Sequence, residues 1–140
     1  MTDGDADALA TAARRAFVDQ HADLRDGVVA AADDVVEAWA GDAVRDRERV
    51  VGPLRAAMTE RGLLDRCPAA LRDVVAATGY DLPADPVPEP PYVAVTGCGP
   101  MLRATLPPGR LVVTLRVFAV ERDPVRYRRR RGDPVTVRLR

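Results

Sequence analysis

Seven arginines in the last third of the chain are spaced so that they could meet an anion together. Arg103, Arg116, Arg126, Arg128, Arg130, Arg138 and Arg140 recur at even spacings within strand-like runs, and Phe118 shares their phase. Residues two apart on a strand point to the same side of a sheet. A guanidinium presents a rigid fork of N–H donors that fits phosphate or carboxylate bidentately. An aromatic ring among such groups can stack on a base or on an arginine. The chemistry on offer is recognition of a polyanion, nucleic acid first, or of an acidic protein surface. Two other readings of the same residues stay open. One is a solvated outer face whose charge keeps sheet edges from pairing. The other is pairing of the arginines with acidic helices, within the chain or across a dimer.

Candidates for catalysis do not converge. His21 is the only histidine, and with Asp19 and Asp23 it falls short of the three or four ligands a metal site needs. It reads as a core or interface residue with hydrogen-bonded ring nitrogens. Asp33, Asp34 and Glu37 read as an exposed acidic helix face rather than an acid–base pair. Gly97-Cys98-Gly99-Pro100 precedes a strand, not a helix, so it is no phosphate-binding loop. Cys98 lacks the basic neighbours that would activate a thiol. Arg131-Gly132-Asp133 reads as a tight turn. The expectation is a protein without catalytic residues, metal or cofactor.

Charge is distributed unevenly. Up to Pro90 there are 18 acidic residues and 10 Arg, and beyond it 3 acidic residues and 11 Arg, so a balance of −8 faces one of +8. There is no lysine, and aromatic residues make up 4% of the chain, which leaves Ala, Val and Leu to build the core. No apolar run reaches the length of a membrane span. The acidic amino terminus is unlike a signal peptide. Two free thiols, Cys67 and Cys98, then suit a reducing cytoplasm.

The elements that would position the arginines follow from periodicity. Residues 1–81 read as helical, 82–91 as a proline-rich connector and 92–140 as an antiparallel sheet, all in one domain. From Asp5 to Trp39 the pattern gives one long helix, or two nearly collinear ones broken at Gly27. Its seam of Phe17, His21, Leu24, Val28 and Val35 would serve self-association as a homodimer, or contact with a protein partner. A second helix would start at an Asp42 cap, be interrupted by Gly52-Pro53 and end at Arg61-Gly62. A third would open on Cys67-Pro68 and stop at Gly79. The strands expected are Tyr92–Thr96, Met101–Leu106, a long central Arg110–Glu121, Val125–Arg130 and Pro134–Arg140. A turn at Pro108-Gly109 would pair Leu106 with Leu111, and a last hairpin would pair Tyr127 with Val137. The fold class is therefore α+β: a helical layer, one long helix and two shorter ones, on a meander of four to five strands. The apolar face, including Leu102, Leu111, Val113, Val125 and Tyr127, would meet the helices.

The runs VVAATGYDLPADPVPEPPYVAVTGCGPMLRATL and GRLVVTLRVFAVERDPVRY resemble small uncharacterised proteins of halophilic archaea. The resemblance covers roughly the second half of the chain. It implies a cytoplasmic protein in concentrated salt and brings no activity or site residues with it. The zero net charge departs from the acidic habit of halophilic proteins. Molar salt shortens the Debye length to about 3 Å, which weakens phosphate binding by arginine and favours desolvated contacts with a protein partner.

Overall fold

The computed structural model describes residues 3–140. Its helices are α1 (Asp3–Gln20), α2 (Ala22–Glu37), α3 (Val51–Glu60) and α4 (Cys67–Ala77). Strand β1 (Ala43–Val44) lies between α2 and α3. Strands β2 (Val93–Val95), β3 (Pro100–Leu106), β4 (Gly109–Leu115), β5 (Phe118–Glu121), β6 (Arg126–Arg129) and β7 (Val135–Leu139) follow the connector. The fold is α+β, but the strands form two antiparallel sheets rather than one meander: β2-β3-β4-β7 and β1-β6-β5.

The first helical stretch breaks at His21, not at Gly27. His21 leaves helical geometry, with φ −128° and ψ 32°, yet hydrogen bonds continue through it from His21 N to Phe17 O and from Arg25 N to His21 O. Gly27 stays helical because Leu63 packs into the space a side chain would fill; a Cβ there would lie 2.7 Å from a Leu63 methyl. The second expected helix starts eight residues later than an Asp42 cap would place it. Val44 is drawn into a strand pair with Tyr127, and a 3₁₀ turn at Arg47–Arg49 follows. Pro53 therefore falls in the first turn of α3, where its missing N–H leaves no bond unmade. The α4 start at Cys67-Pro68 and the stops at Gly62 and Gly79, both at positive φ, are as read from the sequence.

In the four-stranded sheet, β3 and β4 meet through a turn at Pro107-Pro108, so Leu106 faces Gly109, Ala104 faces Leu111 and Leu102 faces Val113. The register is two residues from the expected one. An even shift preserves which side chains share a face, so the apolar face survives the error. Val137 pairs with Val113 on β4, while Tyr127 pairs with Val120 and Val44, so the expected Tyr127–Val137 hairpin is not formed. α1 packs on β7 and α4 on β3, covering one side of this sheet. One continuous core joins Phe17, Leu24, Val28 and Leu71 to Leu102, Leu111 and Val113.

The central run Arg110–Glu121 is two strands in two sheets. After Leu115 the chain crosses over, and the Cys98 carbonyl accepts both Val117 N–H and Phe118 N–H at 2.9 Å. Leu115, Val117 and Phe118 are all buried, so the alternation slips by one at this joint. Phe118 consequently moves from the arginine side into the core, 1% exposed and 5.8 Å from the Trp39 ring centroid. Val125, expected in the core, is exposed in the turn between β5 and β6.

The joint requires a glycine at position 99. Gly99 has φ +144°, and a Cβ there would lie 1.9 Å from the Leu115 carbonyl oxygen. Gly99→Ala should lower the unfolding free energy by about 2 kcal/mol or more, through backbone strain and displacement of β4. Gly41→Ala meets no atom and should stay within about 0.5 kcal/mol of wild type. Urea denaturation of both variants checks this, and equal midpoints would refute the role of Gly99.

Candidate functional site

The uncovered side of the four-stranded sheet carries a groove of about 600 Å³. This lies within the size range of ligand sites. Strand register arranges its side chains in rows. Met101, Thr114 and Thr136 form one row; Arg103, Val112 and Arg138 form the next. Thr105 and Arg110 continue into a third, where Arg110 and Arg140 exchange two backbone hydrogen bonds. Arg116, with Thr96 and Cys98, lines the far end. A smaller cavity of about 220 Å³ shares Arg103, Thr105 and Arg110 with the groove and extends it to Pro91 and Tyr92.

The floor is hydrophobic at Val112 and hydroxylic at Thr114, and both are nearly covered, at 8% and 7% exposure. Long arginine stems can cover apolar floor while their charged ends stay in water. Five arginines and no side-chain carboxylate line the groove. None of the five forms an ion pair among the described residues, and Arg103 donates only to the Pro91 carbonyl, at 3.3 Å.

Some arginines elsewhere are paired within the chain. Arg129 donates Nε to Asp33 on α2 at 3.0 Å and Nη1 to the Val117 carbonyl at 3.1 Å, with its side chain only 8% exposed. Arg131 reaches the same carboxylate at 3.1 Å. Arg61 pairs with Asp34, Arg14 with Asp133, and Arg128 with Glu121. Pairing of arginines with the acidic helices thus occurs within the chain, through Asp33 and Asp34.

Of the eight positions singled out from the sequence, the structure brings Arg103, Arg116, Arg138 and Arg140 together. Arg126 and Arg128 lie on β6 in the other sheet, and Arg130 turns to the Arg116 and Asp133 carbonyls. Phe118 is in the core. Arg110 was missed, although it opens the expected Arg110–Glu121 strand and shares strand parity with Thr114. The seam residues Phe17, Leu24, Val28 and Val35 are buried within the chain itself, so their apolar surface is already used. His21 is half-buried against the Phe17 ring, and its Nε2 lies 2.7 Å from Asp73 Oδ2 on α4. Among the described residues no group of three or more His, Cys, Asp or Glu could hold a metal ion. No helix there is long and apolar enough to cross a membrane.

The two thiols differ in setting. Cys67 is buried, and that burial pushes its pKa from 9.0 up to about 12, slightly countered by the charge of Arg66. Cys98 is partly exposed at the groove end.

A protein-family model described as a domain of unknown function (DUF7988) matches residues 11–140, helical layer and sheets alike. No curated protein and no solved structure matches the chain.

Three consequences can be measured. Iodoacetamide at mildly alkaline pH should label Cys98 in the native protein and spare Cys67, as peptide mapping would show; equal labelling would contradict the burial. The thiol at Cys67 stays protonated in the folded state when the unfolded chain ionises, so its share of stability is intact below pH 9.0 and is lost as pH rises toward about 12. Cys67→Ala should flatten that decline in urea titrations across this range. Finally, Arg129→Ala should destabilise by about 1–3 kcal/mol, because the Val117 carbonyl loses one of its two donors and Asp33 loses the more buried of its two cationic partners. Arg138→Ala in the groove should stay within about 0.5 kcal/mol. Similar losses in both would mean that the groove arginines are structural.

Proposed function

The chain belongs to DUF7988, a family defined by a domain of unknown function, and we propose that it works as a non-catalytic binding module taking phosphate-bearing polyanions in the arginine groove. The observation that carries this reading is the gathering of five arginines without a side-chain carboxylate on one open face. Arg128, Arg129 and Arg131 on β6 and its flank find carboxylates inside the chain, whereas the five in the groove form no ion pair among the described residues. Because the chain is neutral overall, attraction to an anion has to come from this face and not from net charge.

The ligand class is narrowed by what is missing from the lining. A groove that binds single strands through bases offers aromatic platforms. Here only Tyr92 stands near, in the adjoining cavity, so the backbone phosphates supply most of the contacts. Guanidinium planes can still stack on bases. A host cytoplasm in concentrated salt is part of this proposal. Screening there is strong beyond about 3 Å, so contacts must be direct hydrogen bonds and not long-range steering.

The test is fluorescence anisotropy with a labelled single-stranded oligothymidylate at low, moderate and molar salt. Binding should weaken with salt, log K changing by about −0.7 per phosphate neutralised for each unit of log salt concentration. Arg138→Gln with Arg140→Gln should make the slope shallower by about 1.4. Arg128→Gln, outside the groove, should leave it unchanged. The oligonucleotide should also slow alkylation of Cys98. Absence of binding at low salt removes this reading, and an equal effect of Arg128→Gln places the site elsewhere.

A further inference from the structure

Resting on that reading of the groove, we infer that its floor carries a phosphoryl subsite built on the facing hydroxyls of Thr114 and Thr136. Thr114 is more than nine-tenths buried, at 7% exposure, yet its hydroxyl has no hydrogen-bond partner among the described residues. The hydroxyl oxygen itself is not sealed off, and its accessible edge opens to the groove. The buried Thr78 and the half-buried Thr96, by contrast, satisfy theirs within the chain, donating to Val75 O at 2.6 Å and to Gly99 O at 2.7 Å. Thr114 is different because its side chain stands on a central strand and opens only onto the groove.

Thr136 lies directly opposite on β7, also lines the groove and also makes no side-chain hydrogen bond among the described residues. Facing residues of an antiparallel pair have Cβ atoms about 5 Å apart. Two hydroxyls at that separation can donate to two oxygens of a single tetrahedral group. Arg116, just past β4, and Arg138 on β7 flank this pair from opposite sides, each two residues along its strand and about 6.7 Å away by strand rise, and Arg103 lies in the row of Arg138, across Val112. Guanidinium stems span that distance.

The donor set comes from the floor and from the sides, which suits the several oxygens of a phosphoryl group. A planar carboxylate is satisfied by one guanidinium fork. No side-chain carboxylate in the lining competes for these donors. The phosphoryl group can belong to a small phosphorylated compound or to one residue of a nucleic-acid strand, and both present the same oxygens.

Two probes separate these sources: inorganic pyrophosphate, followed by calorimetry, and the labelled oligothymidylate, followed by anisotropy. Thr114→Val keeps shape and removes the hydroxyl, so it should leave or raise the thermal midpoint while weakening binding about tenfold, the loss of a hydrogen bond to a charged group. The salt slope should not change, because no charge is removed. Thr114→Ser should restore affinity. Thr136→Val should behave like Thr114→Val, and the double variant should lose more than either. Tight pyrophosphate binding that shares this pattern assigns the subsite to a small phosphorylated ligand. The pattern seen with the oligonucleotide alone assigns it to a strand. Wild-type affinity in Thr114→Val and Thr136→Val, with binding otherwise intact, overturns the subsite and leaves the groove standing. No binding of either probe by wild type overturns both.

Discussion

A strand that leaves its sheet must find new partners for the backbone groups it takes with it, and the course of this chain after Leu115 is governed by that requirement. Unpaired buried amides and carbonyls cost about 1–3 kcal/mol each. At the joint, Arg116 N–H goes to Pro134 O, while Val117 and Phe118 N–H share Cys98 O. The Val117 carbonyl accepts Arg130 N–H and the Arg129 guanidinium. Each bond comes from a different part of the sequence, so the turn at Gly97–Gly99, the β6 strand and the approach to β7 assemble together or not at all. Tyr127 reinforces this by packing over Gly97, where a Cβ would lie 2.8 Å from its ring.

The same joint sorts the arginines. On its far side, Arg129 is buried between α2 and the crossing strand and compensated by Asp33, so it links the helical layer to both sheets. Removing one partner of such a contact exposes the other to a penalty that surface pairs do not carry. Pairs such as Arg61–Asp34 and Arg72–Asp85 are largely exposed and contribute about 0–1 kcal/mol, enough to orient side chains but not to decide the fold. On the near side, the strand stays in the four-stranded sheet and its arginines find only water and the groove. Which arginines reach Asp33 and which line the groove is therefore a result of topology, not of arginine placement along the sequence.

That explains what could be read in advance. Alternation gave the two faces of β3, β4 and β7 correctly, even with a turn misplaced, because register errors of two residues do not change parity. Leu102, Leu111, Val113, Arg103 and Arg138 were all on their proper sides. The phase slip at Arg116–Val117 was invisible, since nothing in LRVF differs from an unbroken strand; what bends it is the Cys98 carbonyl, eighteen residues earlier than Arg116. Phe118 and the β6 arginines were misassigned for that reason. In the helical half, Gly27 looked like a weak point on propensity alone, whereas Leu63 makes its missing side chain a packing feature. The Phe17–Val35 seam was legible as a seam, but periodicity does not say whether a helix faces its own chain or another. Here β7 and α4 had the first claim on α1, and α3 on α2.

Keeping five cationic groups on one face without a side-chain carboxylate has a modest price in stability. Two unit charges about 7 Å apart in water-like surroundings repel by roughly 0.6 kcal/mol, and ordinary salt reduces this over about 8 Å. Single neighbours are thus tolerable, while the sum over the groove is felt. An anion among them reverses the sign of every such term at once, which a single exposed carboxylate on a flexible side chain does less well because it neutralises only its nearest neighbour. Val112 and Thr114 add what charge alone lacks, a floor at fixed depth on a rigid central strand. Repulsion relieved from the sides and a hydroxyl met from below act on the same guest. Strand register fixes where each donor is rooted before any ligand arrives, so binding has to order the guanidinium ends and not the backbone that carries them.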